Sequence, residues 1–164
     1  MEISLTHFFV HTIPESIIVI MFILFISGNE EQWQKGLAGG IFLGIFVLIS
    51  RNFLFEERIY LHTLVYSVFI IILLNFLIDN LKLIVLIKAT LLSVLLVFVS
   101  ESIQHFVVFN PNVPVDISPT DRAGVSILAT LLLIELLVFV SVGLGIRFYR
   151  KKLALGVDSN EESS

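Results

Sequence analysis

The chain has 164 residues, of which 57% are hydrophobic and 15% are charged, and its mean hydropathy is +0.99. A soluble domain usually carries about 25% charged residues, so the composition excludes that class and predicts an integral membrane protein. The chain contains no cysteine, which excludes disulfides and cysteine-based metal centres. Its net charge is −4, and its few basic residues flank apolar segments, so nucleic-acid binding has no support.

Five apolar segments follow one another along the chain, at residues 13–27, 36–50, 59–78, 81–98 and 123–146, with extensions of the second to 55 and the fourth to 109. They are continuous and approach the ~20 residues that a helix needs to cross a bilayer, which favours helices over a barrel. The sequence therefore predicts an all-α, polytopic transmembrane helix bundle of about five spans at residues 1–149, followed by a short cytoplasmic tail at 150–164.

The first segment opens with the stretch HTIPES, which has two readings. His7, His11 and Glu15 would share one face of an unbroken helix, as three candidate metal ligands or as a face carrying a ligand-binding carboxylate. Pro14 disfavours helical geometry just before it, so we favour a capping box in which Thr12 caps the helix and Glu15 bonds back to the Thr12 amide. On that interpretation we expect no metal and no cofactor.

Basic residues in short connections predict the orientation of the bundle in a cell membrane, with the N-terminus outside and the C-terminus in the cytoplasm. The basic residues that then fall inside are Lys35, Lys82, Lys88, Arg147, Arg150, Lys151 and Lys152, whereas Arg51, Arg58 and Arg122 fall outside.

Ionisable residues from four segments share one level near the outer ends of the predicted helices. They are His11, Glu15, Arg51, His62, Glu101 and His105. One interpretation is that they lie independently at the lipid–water interface. The other is an outward-facing polar pocket that binds a small ligand, peptide or ion, because ionisable groups at membrane depth usually face protein or water.

Two charges lie deeper in the apolar segments. Glu135 is near the middle of the fifth segment and Lys88 is about two turns into the fourth. Because consecutive helices are antiparallel, the two side chains are candidates for an intramembrane charge pair. The alternative is that Lys88 extends to the inner surface and that Glu135 is protonated or bonded to a neighbour.

Gly36, Gly40 and Gly44 repeat every four residues in the second segment. Small residues at that spacing allow two helix backbones to approach closely. We expect this stripe to pack helices within one subunit, and a homo-oligomer is the alternative.

The order HTIPE, GGIFLGIFVLISR and the pair His62–Thr63 resembles small five-helix membrane proteins of Gram-positive bacteria and the membrane sensor region of AgrC-like kinases. The resemblance covers residues 11 to about 65 and implies a bacterial bundle that senses an outward stimulus. Only 17 residues follow Arg147, too few for a kinase domain, so signalling would require a separate partner.

Together these features predict a non-enzymatic sensory or regulatory subunit. Its expected partners are the lipid bilayer and a membrane or cytoplasmic protein. The alternative is a subunit of a small-solute or ion transporter that uses Glu135 and Lys88.

Overall fold

The computed structural model describes the backbone at residues 7–53, 59–108 and 122–161, and the side chains at 7–50, 63–103 and 126–150. The described part is helical and contains no strand. Its main helices are α1 (Ile13–Ser27), α2 (Trp33–Phe53), α3 (Ile59–Leu77), α4 (Leu83–Val108) and α5 (Arg122–Glu161). A π-helical turn (Phe8–Thr12) precedes α1, and a short 3-10 turn (Glu30–Gln32) precedes α2. The predicted all-α bundle is confirmed.

Four stretches of the described chain are long and apolar enough to cross a membrane: Phe8–Ser27, Glu30–Ser50, Leu83–Ile103 and Ser126–Arg150. Helix α3 adds a shorter apolar stretch, Thr63–Leu77. Large apolar side chains such as Phe42, Ile72 and Phe76 are exposed on the outside of the bundle. The protein is therefore an integral membrane protein, and these outward side chains provide its surface for lipid.

The start of α1 differs from the predicted capping box. Thr12 has helical backbone angles and caps nothing with its side chain, because the helix already begins before it. The amide of Ile13 donates to the carbonyl of Phe8, five residues earlier, which is the π-helical pattern. Pro14 lacks an amide hydrogen and crowds the preceding turn, and the wider π-helical turn accommodates it without ending the helix. The capping prediction was wrong, and His7, His11 and Glu15 lie on one continuous helix.

The other end of α1 is set by Gly28. Its φ of 75° is left-handed, which glycine adopts without a Cβ clash. The Gly28 amide donates to Phe25 and the Asn29 amide donates to Leu24, which together form a Schellman motif. The chain thus reverses directly into α2.

Helix α1 is the central helix of the bundle, in contact with α2, α4 and α5. Seven of its 15 residues are buried and none is exposed, consistent with a helix that is apolar nearly all round. Core residues on α1 include Val19, Ile20 and Ile23, and Leu74 of α3 and Leu86 of α4 belong to the same core. Helix α3 lies farther out, where its Phe69 stacks on Phe46 of α2 at 3.8 Å between ring centroids.

The glycine stripe of α2 faces α1, and this pair has the most extensive contact in the bundle. A Cβ atom on Gly40 would lie 2.7 Å from the Cα atom of Ile17, and one on Gly44 would lie 3.3 Å from the Cα atom of Ile13. Gly36 faces the side chains of Leu24 and Met21 on the same helix. The stripe therefore packs two helices within one chain.

The bundle has two distinct ends. At the end that we call the basic end, Lys35 pairs with Asp79, and Gln32 exchanges hydrogen bonds with the Asp79 backbone. Arg150 of α5 donates to the carbonyl of Ile26 at 2.7 Å, which satisfies an acceptor at the C-terminus of α1. The opposite end, where the π-helical turn lies, we call the His11 end.

We expect Gly40→Ala to lower the stability of the protein by about 1–3 kcal/mol, because its methyl group would collide with the α1 backbone. Gly39→Ala is the matched control, since its Cβ would lie 3.4 Å from its nearest neighbour, an ordinary contact. Both substitutions gain the same helix propensity, so their difference isolates the collision. Thermal unfolding in detergent, followed by circular dichroism, measures it. Equal melting temperatures would contradict the close α1–α2 approach.

Candidate functional site

A polar cluster joins α1 to α5 in the half of the bundle near the His11 end. It consists of His11, Glu15 and Glu135, and one ligand atom from each side chain lies within 4.8 Å of the other two. The Nδ1 atom of His11 is 3.3 Å from Oε2 of Glu15, one helical turn away. The π-helical turn that carries His11 also contacts α5, the helix of Glu135. We call these three residues the polar cluster.

Glu135 is the most deeply placed member of the cluster. Its residue surface is 1% exposed, and its Oε1 atom accepts no hydrogen bond within the described part of the chain. Neither ring nitrogen of His11 makes a hydrogen bond there, because the 3.3 Å approach to Glu15 lies within ion-pair range but lacks hydrogen-bond geometry. The cluster therefore holds polar atoms whose burial costs free energy and whose bonding capacity is not fully used.

Further polar groups surround the cluster at the His11 end. The His7 ring lies 5.2 Å from the His11 ring, measured between centroids, and its Nδ1 is 3.4 Å from the Thr12 hydroxyl. Glu15 and Glu101 both interact electrostatically with Glu135. Three carboxylates thus act on one small region, and a positive charge placed there would be stabilised.

An aromatic pair lies on the side of the cluster toward the basic end. Phe139 follows Glu135 by one helical turn, is 2% exposed, and packs edge-to-face on Phe22 with 4.8 Å between ring centroids. A Cβ atom on Gly143, another turn along α5, would be within 3.6 Å of the Phe22 and Phe25 rings. The apolar core lies beyond this pair, so the polar cluster is bordered by apolar side chains on the side toward the basic end.

The structure brings together only some of the residues predicted to bind a ligand. His11 and Glu15 are in direct contact, and Glu101, exposed on α4, acts on the same region through its charge. The side chains of Arg51, His62 and His105 lie outside the described residues. Glu135, assigned from the sequence to a separate charge pair, belongs to the polar cluster instead.

The structure does not bring Lys88 and Glu135 together. The two described side chains form no ion pair with each other, and Lys88 is exposed on α4. Lys88 lies five residues from the start of α4 at Leu83, whereas Glu135 lies 15 residues from Arg150 at the basic end. At 1.5 Å per residue these positions differ in depth by about 15 Å, more than a lysine side chain spans.

The positions of Glu15 and Glu135 along their helices, which the sequence gives, already indicate that the two residues lie at similar depth. Glu15 is the eighth residue of the stretch Phe8–Ser27, and Glu135 is the tenth residue of Ser126–Arg150. Both are counted from the His11 end, so their depths are similar. Matching depths from fixed helix ends would have grouped Glu135 with Glu15, although the sequence does not show that α1 and α5 are neighbours.

Comparison of the chain with protein-family models, with curated proteins and with solved structures finds no match. The interpretation of the polar cluster therefore depends on its own chemistry. The cluster offers an imidazole and two carboxylates, side chains that can bind a cation reversibly.

We expect Glu135→Leu to raise the stability of the protein by about 1–4 kcal/mol, because it replaces a buried ionisable group with an apolar one of similar volume. Glu31→Leu is the control, since Glu31 is exposed in the connection before α2 and should change stability little. Melting temperatures in detergent measure both. Destabilisation by Glu135→Leu would show that Glu135 is needed for folding and would remove the reason to assign it a function.

Proposed function

We propose that this integral membrane protein is a non-enzymatic sensory or regulatory subunit. A small ligand or ion binds at the polar cluster, and a partner binds the basic end and responds to its conformation. The observation that carries this proposal is that the first helix and α5 are in contact near both ends of the bundle. They share the polar cluster near one end and the Arg150–Ile26 hydrogen bond at the other.

The contacts between these two levels support mechanical coupling. Phe22 packs on Phe139, and Gly143 lies against Phe22 and Phe25, so α1 and α5 remain in contact between the cluster and the basic end. Arg147 lies over the Phe25 ring at 5.9 Å. From Glu135 to Arg150 the helix spans about 22 Å. Because packed helices move as units, a change in α1–α5 spacing at the cluster alters the contacts of Arg150.

Two features favour sensing over transport. A transport pathway requires a continuous polar route, whereas a sensor requires only a binding site on one side. The Phe22–Phe139 pair and the apolar core separate the polar cluster from the basic end. Lys88, the second charge in the transport alternative, is remote from Glu135 in depth.

The basic end is the part that would face the cytoplasm. Lysine and arginine favour that side, so the His11 end, at the opposite end of the bundle, faces outside. A cavity of about 90 Å³ at this end is lined by Phe25, Gly28, Glu30, Ile146, Arg147 and Arg150. Its two arginines suit an anionic lipid or an acidic segment of a partner protein. This arrangement agrees with the role that the AgrC-like resemblance implies.

The orientation is tested with single cysteines, because the native chain contains none. We expect Glu31→Cys to be labelled by a membrane-impermeant maleimide only from the cytoplasmic side, since Glu31 is exposed at the basic end. Ser118→Cys, in the connection between α4 and α5, should be labelled only from outside. The opposite pattern would reverse the proposed orientation, and labelling of both from one side would contradict the odd number of spans.

Coupling is tested with the single tryptophan, Trp33, which is 48% exposed at the start of α2 near the basic end. Glu135→Gln removes the buried ionisable group from the cluster and keeps the size of the side chain. We expect it to shift Trp33 emission or quenching by aqueous iodide, because α1 carries the change to the connection with α2. Lys88→Gln is the control and should leave both readings at the wild-type value.

The same proteins in liposomes distinguish sensing from transport. A trapped pH dye and trapped cation indicators should report no flux above that of empty vesicles for wild type and both variants. Flux that Glu135→Gln or Lys88→Gln abolishes would establish the transport alternative. Identical Trp33 readings in wild type and Glu135→Gln would show that the cluster is not coupled to the basic end.

A further inference from the structure

The polar cluster combines one nitrogen donor with two carboxylates on two helices. His11 and Glu15 are held at i and i+4 on the first helix, and Glu135 faces them from α5. Acidic clusters alone are common in proteins. Here the ring nitrogens of the partly exposed His11 are buried, and they lie close to the almost fully buried Glu135, whose Oε1 lacks a hydrogen-bond partner in the described part.

We propose that His11, Glu15 and Glu135 bind a divalent transition-metal ion of the Zn²⁺ type. The inference names the stimulus class of the proposed function and rests on that function for its signalling role, but not for the binding itself.

The geometry is close to that of a three-ligand metal site. A tetrahedral ion with bonds of about 2.1 Å holds its donor atoms about 3.4 Å apart. The observed donor atoms lie within 4.8 Å of one another, and His11 Nδ1 and Glu15 Oε2 are already at 3.3 Å. Metal binding at this site requires the glutamate side chains to rotate until the donor atoms reach bonding distance. Three protein ligands leave a fourth position for water or another ligand.

The charges also match a divalent ion. Two ionised carboxylates and a neutral imidazole carry a charge of −2, which one divalent cation neutralises. In a water-poor bundle that neutralisation is worth more than at a surface, because the medium screens charge poorly. Glu101 adds a further favourable electrostatic contribution from α4.

The donor set selects the type of ion. Ca²⁺ and Mg²⁺ prefer six or more oxygen ligands, and a cluster with an imidazole and two carboxylates offers too few. Zn²⁺ and similar first-row ions accept mixed nitrogen and oxygen ligands in low coordination numbers. The continuous π-helical turn supports the site because it keeps His11 one turn above Glu15 despite Pro14.

The test is metal titration of the purified full-length protein in detergent, prepared without a polyhistidine tag. Co²⁺ is the spectroscopic probe, and isothermal calorimetry with Zn²⁺ gives the stoichiometry. We expect one Co²⁺ per chain with the visible absorption of a four- or five-coordinate site, displaced by one equivalent of Zn²⁺. Ca²⁺ and Mg²⁺ should displace none.

The variants assign the ligands. Glu135→Gln and His11→Gln should each weaken binding by at least about tenfold, since even groups that only orient metal ligands are worth about 10–100-fold in affinity. Lys88→Gln is the matched control that keeps the three ligands and should retain stoichiometric binding. Circular dichroism and melting temperature without metal confirm that each variant is folded.

Absence of stoichiometric Co²⁺ or Zn²⁺ binding by the wild type would overturn the metal site, whatever the variants do. Equal binding by wild type and a folded Glu135→Gln would overturn it as well.

The Trp33 measurement distinguishes the metal site from its proposed sensory role. Metal binding without any change in Trp33 fluorescence would retain the metal site and reject the sensory role. A Trp33 change in Glu135→Gln without metal binding by the wild type retains coupling and rejects the metal.

Discussion

The burial of Glu135 between α1 and α5 is the constraint on which the functional interpretation depends. An ionisable group that is 1% exposed in an apolar bundle costs free energy unless a proton, a cation or hydrogen bonds compensate it. The nearest compensating groups are His11 and Glu15, and one of these is a second carboxylate. The ionised forms of the two carboxyl groups therefore repel each other, and a bound proton or cation relieves that repulsion.

The position of α1 makes this arrangement possible. Gly40 and Gly44 let the α2 backbone approach Ile13 and Ile17, which fixes α1 against its neighbour. The π-helical turn then extends α1 past Pro14, so that His11 stays on the helix. Close packing on one side and a widened turn at the start together place an imidazole beside two carboxylates.

Helices α1 and α5 also connect the polar cluster to the opposite end of the bundle. Phe22 and Phe139 pack on each other on the side of the cluster toward the basic end, so the two helices stay in contact there. The Arg150–Ile26 hydrogen bond joins the same helices at the basic end. Contacts between α1 and α5 therefore run from the polar cluster to the basic end, and the proposed sensory role depends on them.

Composition and apolar segment lengths were sufficient to predict an all-α membrane bundle, because a helix is the one element that satisfies its own backbone in a bilayer without a partner strand. The alignment of His7, His11 and Glu15 was also visible in the sequence, but local proline chemistry pointed to a cap that the π-helical turn makes unnecessary. The partner of Glu135 required the tertiary structure. Helices that are apolar nearly all round give no periodic signal of which face meets which neighbour, so the contact of α1 with α5 was decided only by packing.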